Sequence, residues 1–140
     1  MIDRRTQELF EAARKATSEN PLTEAYEPAL VALLARIREL APAQQQDFEG
    51  FLIEQLAIRT GQYWRHLPWE MVSFLMYALR WSSVRAFCEL QASTHVDSGR
   101  ALRWQGRFAR ILESFEDDWD DRVLFASYRT GKDPDGEQYE

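Results

Sequence analysis

One cysteine, two lysines and no long apolar run are the first things this 140-residue chain lacks. The single thiol, Cys88, rules out an internal disulfide, and a chain without disulfides suits a reducing compartment, so a cytoplasmic location is expected. The segment Met1 to Arg14 mixes charges early and has no apolar stretch of the kind a signal peptide carries. The longest apolar candidate, Trp69 to Leu79, is interrupted by Glu70 and Ser73 and falls short of the ~18 residues that a membrane span requires. Six scattered glycines offer no phosphate-cradling loop. Basic charge is also short: 17 Lys and Arg face 23 Asp and Glu, for a net charge of −6, which weighs against direct nucleic-acid binding.

Apolar residues, by contrast, are plentiful, and they recur at helical spacing with no alternating strand pattern. A chain of this length buries roughly 68% of its unfolded surface, enough for one unstapled core. Helices are predicted over Asp3 to Thr17, Glu24 to Leu40, Pro42 to about Gly61, Trp69 to Leu79, Ser83 to Ser93, Ser98 to about Glu116 and, briefly, Asp120 to Tyr128. Asn20-Pro21 breaks the first, and Pro28 starts or kinks the second. The fourth is apolar nearly all round, which predicts a central position. The sixth shows the cleanest inner face: Trp104, Phe108, Ile111, Leu112 and Phe115. The expected fold class is all-α: a single compact bundle of six to seven antiparallel helices. Short connections further suggest stacked hairpins over 24–60, 68–93 and 98–128. Residues 1–129 read as one domain and 130–140 as a flexible acidic tail.

Charge is distributed unevenly. The nine residues Glu113 to Asp121, ESFEDDWDD, hold six acids (Glu113, Glu116, Asp117, Asp118, Asp120 and Asp121) around Trp119. Without them the chain would be neutral. Just before them, Arg100, Arg103, Arg107 and Arg110 recur at spacings of 3, 4 and 3, which predicts a basic stripe on one helix face, turned away from the apolar one. A basic front and an acidic end run against the helix dipole, so the six acids with Trp119 become a candidate partner-binding surface and the stripe a secondary one. The acidic run has no glycine and lacks the D-x-D-x-D-G order of a calcium loop, so no metal is expected, nor any cofactor.

Catalytic signals are sparse. Neither His66 nor His95 falls in a zinc-protease pattern. Cys88 follows Phe87 on an apolar face and reads as a small buried hydrophobe. The segment RTGQYWRH puts Arg59 six residues ahead of His66, and in this it resembles the all-helical HEPN ribonucleases. That resemblance covers eight residues, and it implies phosphate held by Arg59 and a general acid or base at His66. The aromatic residues Tyr63, Trp64 and Trp69 around this pair serve equally as core plugs or as an interface.

Taken together, size, charge and the lack of catalytic residues favour a small acidic protein-binding module. It would mask a basic site on another protein, such as a toxin or nuclease, as an immunity protein or antitoxin does. The alternatives are a HEPN-like ribonuclease using Arg59 and His66, and a non-enzymatic scaffold or regulatory module that holds an anionic ligand on the arginine stripe.

Overall fold

Side chains satisfy orphan backbone groups at the start of the first helix and at the end of the second. The computed structural model describes residues 2–58, 66–93 and 99–129, the side chains of 99–102 excepted. Seven α-helices are described: α1 (Arg4–Glu19), α2 (Thr23–Glu39), α3 (Pro42–Ala57), α4 (Trp69–Leu79), α5 (Ser82–Ser93), α6 (Gly99–Glu113) and α7 (Ala126–Arg129), with a 3₁₀ segment at Asp120–Leu124. No strand occurs among the described residues, so the chain is all-α.

Asp3 caps α1 by accepting the Thr6 N–H at 2.7 Å. The same carboxylate pairs with Arg36 on α2 at 2.8 Å, so one residue both starts a helix and ties it to the next. Pro42 occupies the first turn of α3, where its missing N–H costs nothing. Gln45 then reaches back to the Ile37 and Leu40 carbonyls at 3.1 and 3.3 Å, closing the end of α2. Pro28 lies inside α2, which begins a turn before it at Thr23. α4 ends on Arg80, the single positive-φ non-glycine among the described residues (φ 50°).

Burial follows the apolar spacing. Phe10, Phe48, Phe74 and Phe108 head the core, with Leu30, Leu33, Ile37, Leu52 and Leu56 around them. The unbroken buried run Met71 to Met76 places α4 centrally, against α1, α2 and α6. Pairing departs from the expected hairpins. α2 packs chiefly on α1 and hardly on α3, while α6 packs on α5 and α4. Connection length fixes which helices follow one another, but the Asp3–Arg36 pair and the α1 apolar face decide which ones dock. No described helix is long and apolar enough to cross a membrane. The tail 130–140 and the expected end of the third helix at Gly61 lie outside the described residues.

Cys88 is fully buried, and burial pushes its thiol up to about 12. The thiolate is the reactive form. A thiol reagent at pH 8 should therefore leave the native protein unmodified and label it stoichiometrically in denaturant. Rapid native labelling would show that α5 opens far more readily than its packing suggests.

Candidate functional site

Beyond Glu113 the chain leaves α6 through consecutive tight turns. Ser114, Phe115 and Glu116 each donate their N–H to the carbonyl three residues back, as Trp119, Arg122 and Phe125 do further on. The Ser114 hydroxyl adds a bond to the Ile111 carbonyl at 2.6 Å. This winding sorts the side chains by polarity. Phe115, Trp119 and Phe125 turn inward, at 6%, 2% and 2% exposure. Glu113, Glu116, Asp117, Asp118 and Asp120 face water, and Asp121 is half-buried. Trp119 stacks on Phe125 at 5.9 Å and meets Tyr77 at 5.4 Å. Phe125 and Tyr128 in turn contact Phe74 of α4 at 4.9 and 4.8 Å. The acids are thus mounted on an aromatic anchor in the core.

That burial corrects one expectation: Trp119, proposed from sequence to touch a partner, belongs to the core. Its position amid acids suggested exposure, but a tryptophan contributes more by leaving water. Two of the six acids are paired internally, Asp117 with Arg80 at 2.8 Å and Glu116 with Arg85 at 3.8 Å. The Asp117 side chain is nevertheless 94% exposed, and exposed pairs contribute only about 0–1 kcal/mol. Among the described residues, Glu113, Asp118, Asp120 and Asp121 form no ion pair. The Asp121 charge reaches Glu70 on α4, whose carboxyl is pushed up by burial against its own backbone bond and the Arg110 charge, with Asp121 adding the smallest push upward. Val123 and Leu124, 52% and 54% exposed, follow directly on the acids. No signal in the local sequence marks this pair as exposed, since it falls inside the short predicted helix Asp120 to Tyr128.

The expected arginine stripe is broken at Arg107. Arg107 is 4% exposed. Its guanidinium donates to the Leu56 and Leu67 carbonyls at 2.8 and 3.2 Å and lies over the Phe108 ring at 5.0 Å. Helix geometry explains the correction. At about 100° per residue, position 107 lies only about 40° from Ile111 and about 60° from Trp104, on the border of the apolar face and not opposite it. Arg103 and Arg110 are exposed, and Arg110 covers the Trp69 ring at 5.2 Å. The Arg100 side chain lies outside the described residues.

The same is true of Arg59, Tyr63 and Trp64, so the Arg59–His66 pairing cannot be placed. His66 itself is half-buried. Its imidazole is held below the usual histidine range by burial first, then by the charges of Arg14 and Arg107. Among the described residues, no three His, Cys, Asp or Glu side chains gather closely enough to hold a metal ion.

A polar groove was not foreseen. It opens beside the acidic turns where the ends of α2 and α4 meet the 3₁₀ segment and α7, and its walls bring Arg38, Arg80 and Arg122 together. These residues are 42 positions apart in each step, and no local pattern connects them. Comparison with protein-family models, with curated proteins and with solved structures finds no match for this chain.

Proposed function

We propose that this chain is a protein-binding module whose acidic corner masks a basic surface on a partner protein, as an immunity protein or antitoxin covers a toxin or nuclease. The observation that carries the reading is the make-up of that corner. Glu113, Asp118, Asp120 and Asp121 lack ion-pair partners among the described residues, and the exposed Val123 and Leu124 adjoin them. Like charges crowded together repel, and a cationic surface relieves that repulsion while steering association. The two aliphatic side chains supply the apolar contact that charge alone does not. Because Phe115, Trp119 and Phe125 already anchor the turns in the core, little ordering remains to oppose binding.

The test is capture from lysate of the source cell by the wild type and by Glu113→Lys/Asp118→Lys/Asp120→Lys/Asp121→Lys, with circular dichroism confirming that both fold. A basic protein that binds the wild type, releases with salt, and associates at least about tenfold more slowly with the quadruple variant is the expected result. Val123→Ser/Leu124→Ser should instead speed dissociation. If the quadruple variant retains the same partner at the same rate, the acidic corner is not the docking surface.

A further inference from the structure

We infer that the groove between α2, α4 and the C-terminal turns is a binding site for a phosphate group, in which Asp117 acts as an internal placeholder for the ligand. The groove encloses about 540 Å³, and its polar wall is made by Arg38, Arg80, Arg122, Tyr77, Asp117 and Ser127. Three guanidiniums against one carboxylate give this concavity a local surplus of positive charge in a molecule of net charge −6.

The three arginines are differently prepared. Arg80 is fixed. Its Nε donates to the Tyr77 carbonyl at 3.2 Å, its Nη1 to Asp117 at 2.8 Å and to the Phe115 carbonyl at 3.4 Å, and the group lies over the Tyr77 ring at 5.2 Å. Its backbone adopts the left-handed conformation (φ 50°) that glycine ordinarily fills at a helix end. A residue with a side chain is strained there, and such strain gathers at binding sites. Arg122 uses Nη1 on the Trp119 carbonyl at 2.6 Å, which leaves the rest of its fork open. Arg38, on the last turn of α2, is exposed and has no hydrogen bond or ion pair among the described residues.

The hydroxyls at the groove are already engaged. Tyr77 donates to the Asp117 carbonyl, Tyr128 to the Phe74 carbonyl and Ser127 to Glu27. Recognition therefore falls to the guanidiniums. A phosphate group presents several acceptor oxygens and up to two negative charges, matching forked donors better than one carboxylate does. The Asp117 carboxylate, almost wholly in water, occupies one fork and yields it when a stronger anion arrives. The negative groups an incoming phosphate meets are Asp117 itself and, behind Ser127, Glu27. This site does not rest on the docking reading, since it is carried by the arginines of the groove and not by the acids without ion-pair partners.

Isothermal titration with inorganic phosphate and with phenyl phosphate, at ionic strength matched by chloride, tests the inference. Saturable binding beyond the chloride control is expected, and it should be lost in Arg38→Ala/Arg122→Ala. Arg80→Gly suits the left-handed backbone, so it should fold and yet lose binding. Asp117→Asn should bind about fivefold tighter, the worth of one exposed ion pair; a purely structural pair would give no such gain. Tighter binding of phenyl phosphate assigns the site to a phosphate ester, and equal or weaker binding assigns it to free phosphate. No binding above chloride, binding that survives Arg38→Ala/Arg122→Ala, or Asp117→Asn binding no better than wild type would overturn the proposal.

Discussion

Replacing Arg107 with alanine should lower the unfolding free energy by about 3–5 kcal/mol, the combined cost of two orphaned buried carbonyls and lost packing. Three losses combine. The Leu56 carbonyl belongs to the last turn of α3, where helical carbonyls turn to outside donors, and Arg107 supplies one at 2.8 Å. The Leu67 carbonyl, just before α4, takes the second donor at 3.2 Å. Each buried carbonyl left without a partner costs about 1–3 kcal/mol. The guanidinium plane also packs over Phe108 and Trp104, at 5.0 and 5.7 Å, and alanine leaves that space empty. Arg107→Lys should recover only part of the loss, because one ammonium cannot match a planar fork held between two carbonyls. Arg107→Met restores bulk but no donors and should fall between lysine and alanine. Urea denaturation of the four proteins gives the order directly. Were alanine to cost under about 1 kcal/mol, water would have to be serving both carbonyls, and Arg107 could not be what clamps α6 to α3 and α4.

The error over Arg107 shows where sequence patterns inform and where they stop. The apolar faces of α3, α4 and α6 were legible because burying a ring or a branched chain at every third or fourth position has one physical cause. An arginine at the border of such a face obeys two causes, its charge and its long apolar stem. Which one wins depends on whether carbonyls wait nearby, and these come from residues 40 and 51 positions away. The groove was illegible for the same reason, since Arg38, Arg80 and Arg122 meet only through tertiary packing. Nor does any letter in the sequence announce that Arg80 takes a left-handed backbone. The acids were easier. Five of the six face water and the sixth is half-buried, because crowded carboxylates are costly to desolvate. Trp119 among them went the other way because the Tyr77, Phe125 and Tyr128 rings were already assembled.

Glu27 should prove the second most sensitive polar position, and its effect should depend on pH. It lies on α2, yet its carboxylate accepts the Ala126 and Ser127 N–H groups at 3.0 and 2.8 Å and the Ser127 hydroxyl at 2.6 Å. It therefore caps the start of α7 from 99 and 100 residues away. Burial pushes the carboxyl up, but the bonds from Ser127 and Ala126, helped by the Arg129 charge, outweigh it and hold the group below its ordinary value of 4.5. Because the folded state binds this proton more weakly than the unfolded chain, the stabilisation is complete above the unfolded value. It fades as pH falls through the folded value. Glu27→Ala should therefore cost about 2–3 kcal/mol at neutral pH. The gap between wild type and variant should then narrow as pH drops below the ordinary value of 4.5. The structural consequence is local. Without its cap, α7 loosens its hold on Phe74, and the aromatic anchor beneath Asp118 to Asp121 softens. Hydrogen exchange should rise over residues 114–129 and stay unchanged in α1 and α3. A gap that persists unchanged to pH 3 would mean that the neutral acid serves as well as the carboxylate, and the cap would then owe nothing to charge.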